Sequence, residues 1–435
     1  AIEQVAAGLG TVEKNHLLVR YSGQFSVENL NDTKQLEKNE DIFVQVHEFE
    51  TGEITCAYEP YLTMICDGFR RYMTGTFEEF METCDVYYLH RPVLLGYFNQ
   101  DNTGREEIIL LDEVAYEQER MLAALERMLC AIADRHPVLF VLNRFQLASK
   151  STMQLTARFL KCENCNIGLV LGVSDIQAMP EFLVPDWEML YETLDDGSKI
   201  YHIGNSGRKK EETIDDEKYV DYGSEKVYRK LQNMVEFLDF DQAAYYLETI
   251  ERKIKFDNLL VDDAARFRMW LLFVKVSILR QDIPKALEIC EDLEKIHLAG
   301  KEEECAYEQD YLIATAYMYQ GKLKEALEMA GETYRIAGKM SDDYRMFLSE
   351  LLEAKIQMSG WYNIFFCAQD VKIKESLIQN LIRYNYRNHL AHVYIYAYDN
   401  KPEIVKKANQ SEELLIYFSR GIRIAKKLGN EYLIN

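Results

Sequence analysis

Two apolar patterns divide the chain of 435 residues. In the first half, short strand-like runs alternate with helical periodicity. HLLVRYSG (16–23) and DIFVQVHEF (41–49) are rich in Val, Ile, Phe and Tyr and are bounded by polar residues. PVLFVLN (137–143) and IGLVLGVS (167–174) are nearly continuous apolar runs, the pattern of central parallel strands covered on both faces, and KIYHIG (199–204) fits a fifth strand. Between them, 60–73 and 115–136 place apolar residues three and four apart, which predicts amphipathic helices. Strands alternating with helices predict a parallel sheet with right-handed crossovers.

From about Val227 the strand-like runs stop and the pattern is almost entirely helical. The segments 239–253, 281–295 and 321–335 align on Ala244, Ala286 and Ala326, a period of 42 and then 40 residues. A looser copy begins at 359–370, and 413–435 reads as one more unit. The stretch 202–226, rich in Gly, Ser, Lys, Glu and Asp, breaks the composition between the halves. The expected organisation is an α/β domain over 1–205, an acidic linker over 206–226 and an all-α repeat array over 227–435.

The order of elements in the first half resembles the ATPase domain of signal-transduction ATPases with numerous domains (the STAND class), including the maltose-regulon activator type. The most specific stretch is 117–155, where Leu142, Gln146, Ala148 and Ser151 match the family pattern. The resemblance implies a P-loop-NTPase-like fold, but the residues for chemistry depart from it. Asn143 and Arg144 stand where the family has two acids, Ser149 where it has an Asp, and Asp175 where an arginine is common. After the first strand, a phosphate loop needs Gly-x-x-x-x-Gly-Lys-Ser/Thr, whose backbone N–H groups, Lys and hydroxyl hold the phosphates and Mg²⁺. Ser22 and Gly23 are in place, but Glu28, Asn29 and Leu30 replace the second glycine, the lysine and the hydroxyl residue. A carboxylate about 4 Å from a phosphate charge is repelled by about 4 kcal/mol at a protein surface. The resemblance therefore implies a degenerate site that neither anchors Mg²⁺ nor positions water, with ATP and Mg²⁺ disfavoured as cofactors. The winged-helix domain common after the family's ATPase core has little room here.

The segment 311–337 resembles a tetratricopeptide repeat. Ala314 and Tyr317 fall on its first helix, Gly321 at the turn, and Ala326 and Ala330 on the second; Ala286 is the equivalent alanine one copy earlier. Small alanines allow close helix approach, and Gly ends the first helix. Such arrays most often bind proteins or peptides along a concave face, and the resemblance allows a small inducer.

Composition narrows the remaining classes. A net charge of −22 disfavours direct binding to nucleic acid or anionic lipid. Nine cysteines, an odd number, favour reduced thiols and a cytoplasmic location. The absence of a basic, apolar start argues against a signal peptide. The start at Ala1 and the end in mid-repeat are those expected of a piece of a longer protein.

Other constellations read as structural. Cys162-Glu-Asn-Cys165 has metal or redox spacing, but without a second such pair ordinary thiols are expected. His389 and His392 lie one helical turn apart with no acid beside them in sequence. Met340, Met346 and the aromatic run 384–398 are expected to be core, and 211–217 a solvated acidic stretch. No metal or catalytic set is expected. The expected function is regulatory or scaffolding, coupling an inactive NTPase-like domain to a partner-binding array. The alternatives are an ATP-binding switch and an enzyme whose site is not visible in sequence.

Overall fold

The computed structural model describes residues 16–21, 41–50, 52–101, 107–162, 165–173, 179–195, 199–203, 222–257, 259–296, 298–358, 375–399 and 408–434. The chain divides into two compact units, one of residues 1–104 and 117–246, the other of residues 105–116 and 247–435. The stretch 227–246, read from sequence as the start of the array, groups with the sheet. Most of the expected linker lies outside the described residues.

The first unit is built on a parallel sheet of β1 (Leu17–Tyr21), β2 (Phe43–Glu48), β3 (Val138–Asn143), β4 (Ile167–Val173) and β5 (Lys199–Ile203). Each strand falls within one of the five expected runs. Their spatial order is β2-β3-β4-β1-β5. Val44 pairs with Leu139, Val141 with Val170, and Leu18 with Leu171. Every residue of β3 and β4 is buried, which is why both runs lack polar alternation.

The helices of this unit are α1 (Tyr61–Tyr72), α2 (Phe77–Thr83), α3 (Arg91–Asn99), α4 (Val114–Arg135, in this unit from Glu117), α5 (Lys150–Lys161), α6 (Val184–Asp195) and α7 (Glu225–Glu236), with α8 (Phe240–Phe256) beginning in it. On α4, Met121, Leu125, Met128, Leu129 and Ile132 make the buried stripe. Tyr61 is buried against Phe140 and Phe159, and its hydroxyl lies 2.6 Å from Thr156 Oγ1, so this core tyrosine keeps a polar partner. Gly68 of α1 permits a close approach: a Cβ there would lie 2.8 Å from Ile132 Cγ2 and 3.3 Å from Phe43.

The second unit is helical: α9 (Asp263–Leu279), α10 (Ile283–Leu293), α11 (Glu302–Gln320), α12 (Leu323–Met340), α13 (Asp343–Met358), α14 (Glu375–Arg383), α15 (Arg387–Asp399), α16 (Ala408–Leu428) and α17 (Glu431–Ile434). Helices joined by short corners pack on each other. Ala314, Ala326 and Ala330 are buried together with Leu323, Leu352 and Ile356, and Tyr317 lies partly buried against them. Ala286 is fully buried on α10. Gly321 caps α11 in the left-handed region, at φ 81°. The corresponding corners use Gln281 (φ 62°), Ser341 (φ 56°) and Asn385 (φ 59°). Tyr386 and Tyr394 of the aromatic run are buried with Phe347 and Leu351, Tyr384 lies partly buried against them, and Met340 and Met346 lie partly buried against Tyr307 and Ile336. The copy expected at 359–370 lies outside the described residues.

Candidate functional site

A parallel sheet gathers the carboxyl ends of its strands on one edge. The chain leaving β1 must return to the far strand β2, whereas the chain leaving β4 must pass to β5. These opposite directions put the topological switch point, where open α/β sheets bind ligands, between β1 and β4. Ser22, Gly23, Glu28, Asn29 and Leu30, which follow β1, lie outside the described residues, as does Asp175 after β4.

The end of β3 is described. Asn143 is buried and aligned with Glu48 of β2, and its carbonyl accepts a hydrogen bond from Phe49 N at 3.1 Å. Arg144 follows in the left-handed region at φ 52°, with Nε 3.5 Å from Glu48 Oε1. The guanidinium is thus paired with the carboxylate of the neighbouring strand.

The next turn leads into α5, and its polar groups are turned to structural use. Ser149 caps the helix by accepting from Thr152 N at 3.3 Å. Ser151 donates to Asp239 Oδ2 from its backbone N–H at 3.1 Å and its hydroxyl at 2.5 Å. Lys150 is 2.5 Å from Asp241. Burial pushes the Asp239 carboxyl above its usual range, and the bonds from Ser151 and Gln242 oppose that shift. A helix N-terminus attracts anions, and at α5 an internal carboxylate already occupies the position.

Between α1, α3 and α7 lies a cleft of about 430 Å³ lined in part by Asp67, Arg70, Asp101, Arg229 and Glu236. Its acids and arginines are mixed, so it favours no ligand charge.

The second unit contains a buried polar network that the sequence did not reveal. Glu107 receives Asn388 N at 3.2 Å and His389 N at 2.7 Å, capping α15, and lies 2.6 Å from His389 Nδ1. Glu113 lies 2.9 Å from His392 Nε2 and accepts from Asn388 at 2.5 Å and Asn430 at 2.9 Å. The one-turn spacing of the histidines did put them on one face, but their acids are 282 and 279 residues away. His389 is pushed down to about 4, chiefly by burial and then by Lys355, with Glu107 opposing. Burial pushes Lys355 down to about 8, against the pull of Glu107 and Asp112. Burial acts to raise the Glu113 carboxyl, but bonds from His392, Asn430 and Asn388 outweigh it and leave it low. A neutral imidazole held by a buried carboxylate is suited to locking helices together.

The structure also adds a third thiol to the Cys-x-x-Cys pair. Cys130 of α4 meets Cys162 and Cys165, with all three sulfurs within 4.8 Å of one another. No helix among the described residues is long and apolar enough to cross a membrane. Comparison with known protein families, curated proteins and solved structures finds no match to this chain.

Proposed function

We propose that the chain is a regulatory or scaffolding protein. Its sheet-containing unit is a degenerate, P-loop-NTPase-like domain of the STAND type that does not hydrolyse nucleotide. Its helices form a tetratricopeptide-like array that binds a protein or peptide, with a small inducer as a further ligand, in the cytoplasm. The observation that carries this reading is the end of β3. There Asn143 is buried and Arg144 pairs with Glu48, so neither position offers a carboxylate to Mg²⁺ or to an attacking water.

A second reading, nucleotide binding without hydrolysis, draws on the switch point between β1 and β4. The melting temperature with and without millimolar Mg·ATP and Mg·ADP separates the two. A nucleotide at about 100 times its dissociation constant stabilises the native state by about 2.7 kcal/mol, a shift of a few degrees. The proposal expects no shift and no phosphate release. A shift without release supports the second reading, and phosphate release that depends on added Mg²⁺ would sink both.

A further inference from the structure

The geometry points to a thiolate site for a zinc ion formed by Cys130, Cys162 and Cys165. The inference is independent of the reading above, because the site requires neither nucleotide nor partner.

Three separate elements bring the sulfurs together. Cys130 lies on the buried-to-exposed border of α4, Cys162 is the C-cap of α5, and Cys165 stands just before β4. The cap geometry fixes Cys162, whose N–H donates to Arg158 O at 3.0 Å and Phe159 O at 3.3 Å. All three side chains are half-buried, which leaves a path for an ion. None of the three forms a disulfide.

The spacing suits a soft metal. Zinc binds thiolate at about 2.3 Å, so three sulfurs on one tetrahedral ion stand about 3.8 Å apart. The sulfurs here lie within 4.8 Å, a difference that side-chain rotation can close. Three protein thiolates leave the fourth position to water, an open coordination sphere.

Glu126 and Asp134 stand one turn to either side of Cys130 on α4, and Glu126 is paired with Arg158 at 2.8 Å. On binding, one Zn²⁺ displaces three thiol protons to water and leaves a tris-thiolate complex of charge −1, with no change of oxidation state.

The test uses the full chain, reduced with a phosphine and titrated with Cd²⁺ and then Zn²⁺. The expected result is a thiolate-to-cadmium charge-transfer band saturating at one ion per chain, lost on addition of Zn²⁺ or a chelator. Cys130→Ser, Cys162→Ser and Cys165→Ser should each weaken binding at least tenfold, and Cys305→Ser should leave it unchanged. Because a variant can lose its fold, a second measurement uses the unmutated chain. One equivalent of Zn²⁺ should slow iodoacetamide alkylation of Cys130, Cys162 and Cys165 at least tenfold, but not that of Cys305. Absence of the band, equal alkylation of the three thiols with and without Zn²⁺, or a Cys162–Cys165 disulfide that forms in place of metal binding would overturn the assignment.

Discussion

Asp239 and Ser151, 88 residues apart, are joined by two hydrogen bonds to one carboxylate oxygen, from the serine N–H at 3.1 Å and its hydroxyl at 2.5 Å. Asp239 also receives the backbone N–H of Gln242 in the first turn of α8. One side chain thus serves the N-termini of two helices and ties α5 to the corner between α7 and α8.

Asp239→Ala should lower stability by roughly 2 to 4 kcal/mol, from the lost cap and the buried donors left without an acceptor. The pH dependence has a definite sign. The folded carboxyl titrates above its ordinary value of 3.8, so the folded state holds this proton to higher pH than the unfolded chain. The stabilisation is complete below 3.8 and is lost as pH rises through the raised folded value. Asp239→Asn should flatten that part of the profile in denaturant melts; an unchanged slope would remove Asp239 as its source.

His389 acts in the opposite direction. It is neutral when folded, with its pKa lowered from 6.5 to about 4 by burial and Lys355, against Glu107, while Tyr386 packs on the ring and His392 adds a like charge. Its contribution is present above 6.5 and is lost as pH falls towards 4. Full loss would cost on the order of 3 kcal/mol at about 1.4 kcal/mol per pKa unit. His389→Asn should be less stable at neutral pH yet less sensitive to acid over that interval. Equal acid sensitivity in both proteins would count against the assignment.

The helix corners give a paired test. Gly321 has φ 81° with open space where a Cβ would be, so Gly321→Ala strains only the backbone and should cost about 1 kcal/mol. Gln281 sits at φ 62° on an exposed corner, so Gln281→Gly should stabilise by about 0.5 kcal/mol. Chemical denaturation of both variants reads the two signs, and a shared sign would refute the account.

Gly68→Ala should cost about 1 to 3 kcal/mol, because the added methyl meets Ile132. Combining it with Ile132→Ala should recover part of that loss, as a coupling energy in a double-mutant cycle. Strict additivity would mean that the two residues do not press on each other.

The sequence was most legible where structure is local. The runs at 137–143 and 167–174 announced β3 and β4 because strands covered on both faces have no polar alternation. Ala314, Ala326 and Ala330 marked the tight contact between α11 and α12 because only small residues let helices approach there. Strand order was not legible, since a buried run does not name its neighbours. The same holds for Glu107 beside His389 and for Cys130 beside Cys165. Each pair joins distant segments, and such pairing leaves no periodicity in the chain. Ser151 shows the converse: it matches a family pattern in sequence, yet it donates to Asp239 and accepts from Tyr58 N.

The carboxylates of Glu107 and Glu113 belong to a short segment that precedes the rest of the helical unit by more than a hundred residues. A fragment begun at Leu247 would keep His389, His392, Asn388 and Asn430 but lose both of their acidic partners. The helical unit is therefore discontinuous in sequence. Ribosomal synthesis delivers its two acids early, and the pocket that receives them closes only when the last helices emerge. Supplying residues 105–116 in trans as a peptide would show whether that closure can be completed without the peptide bonds on either side.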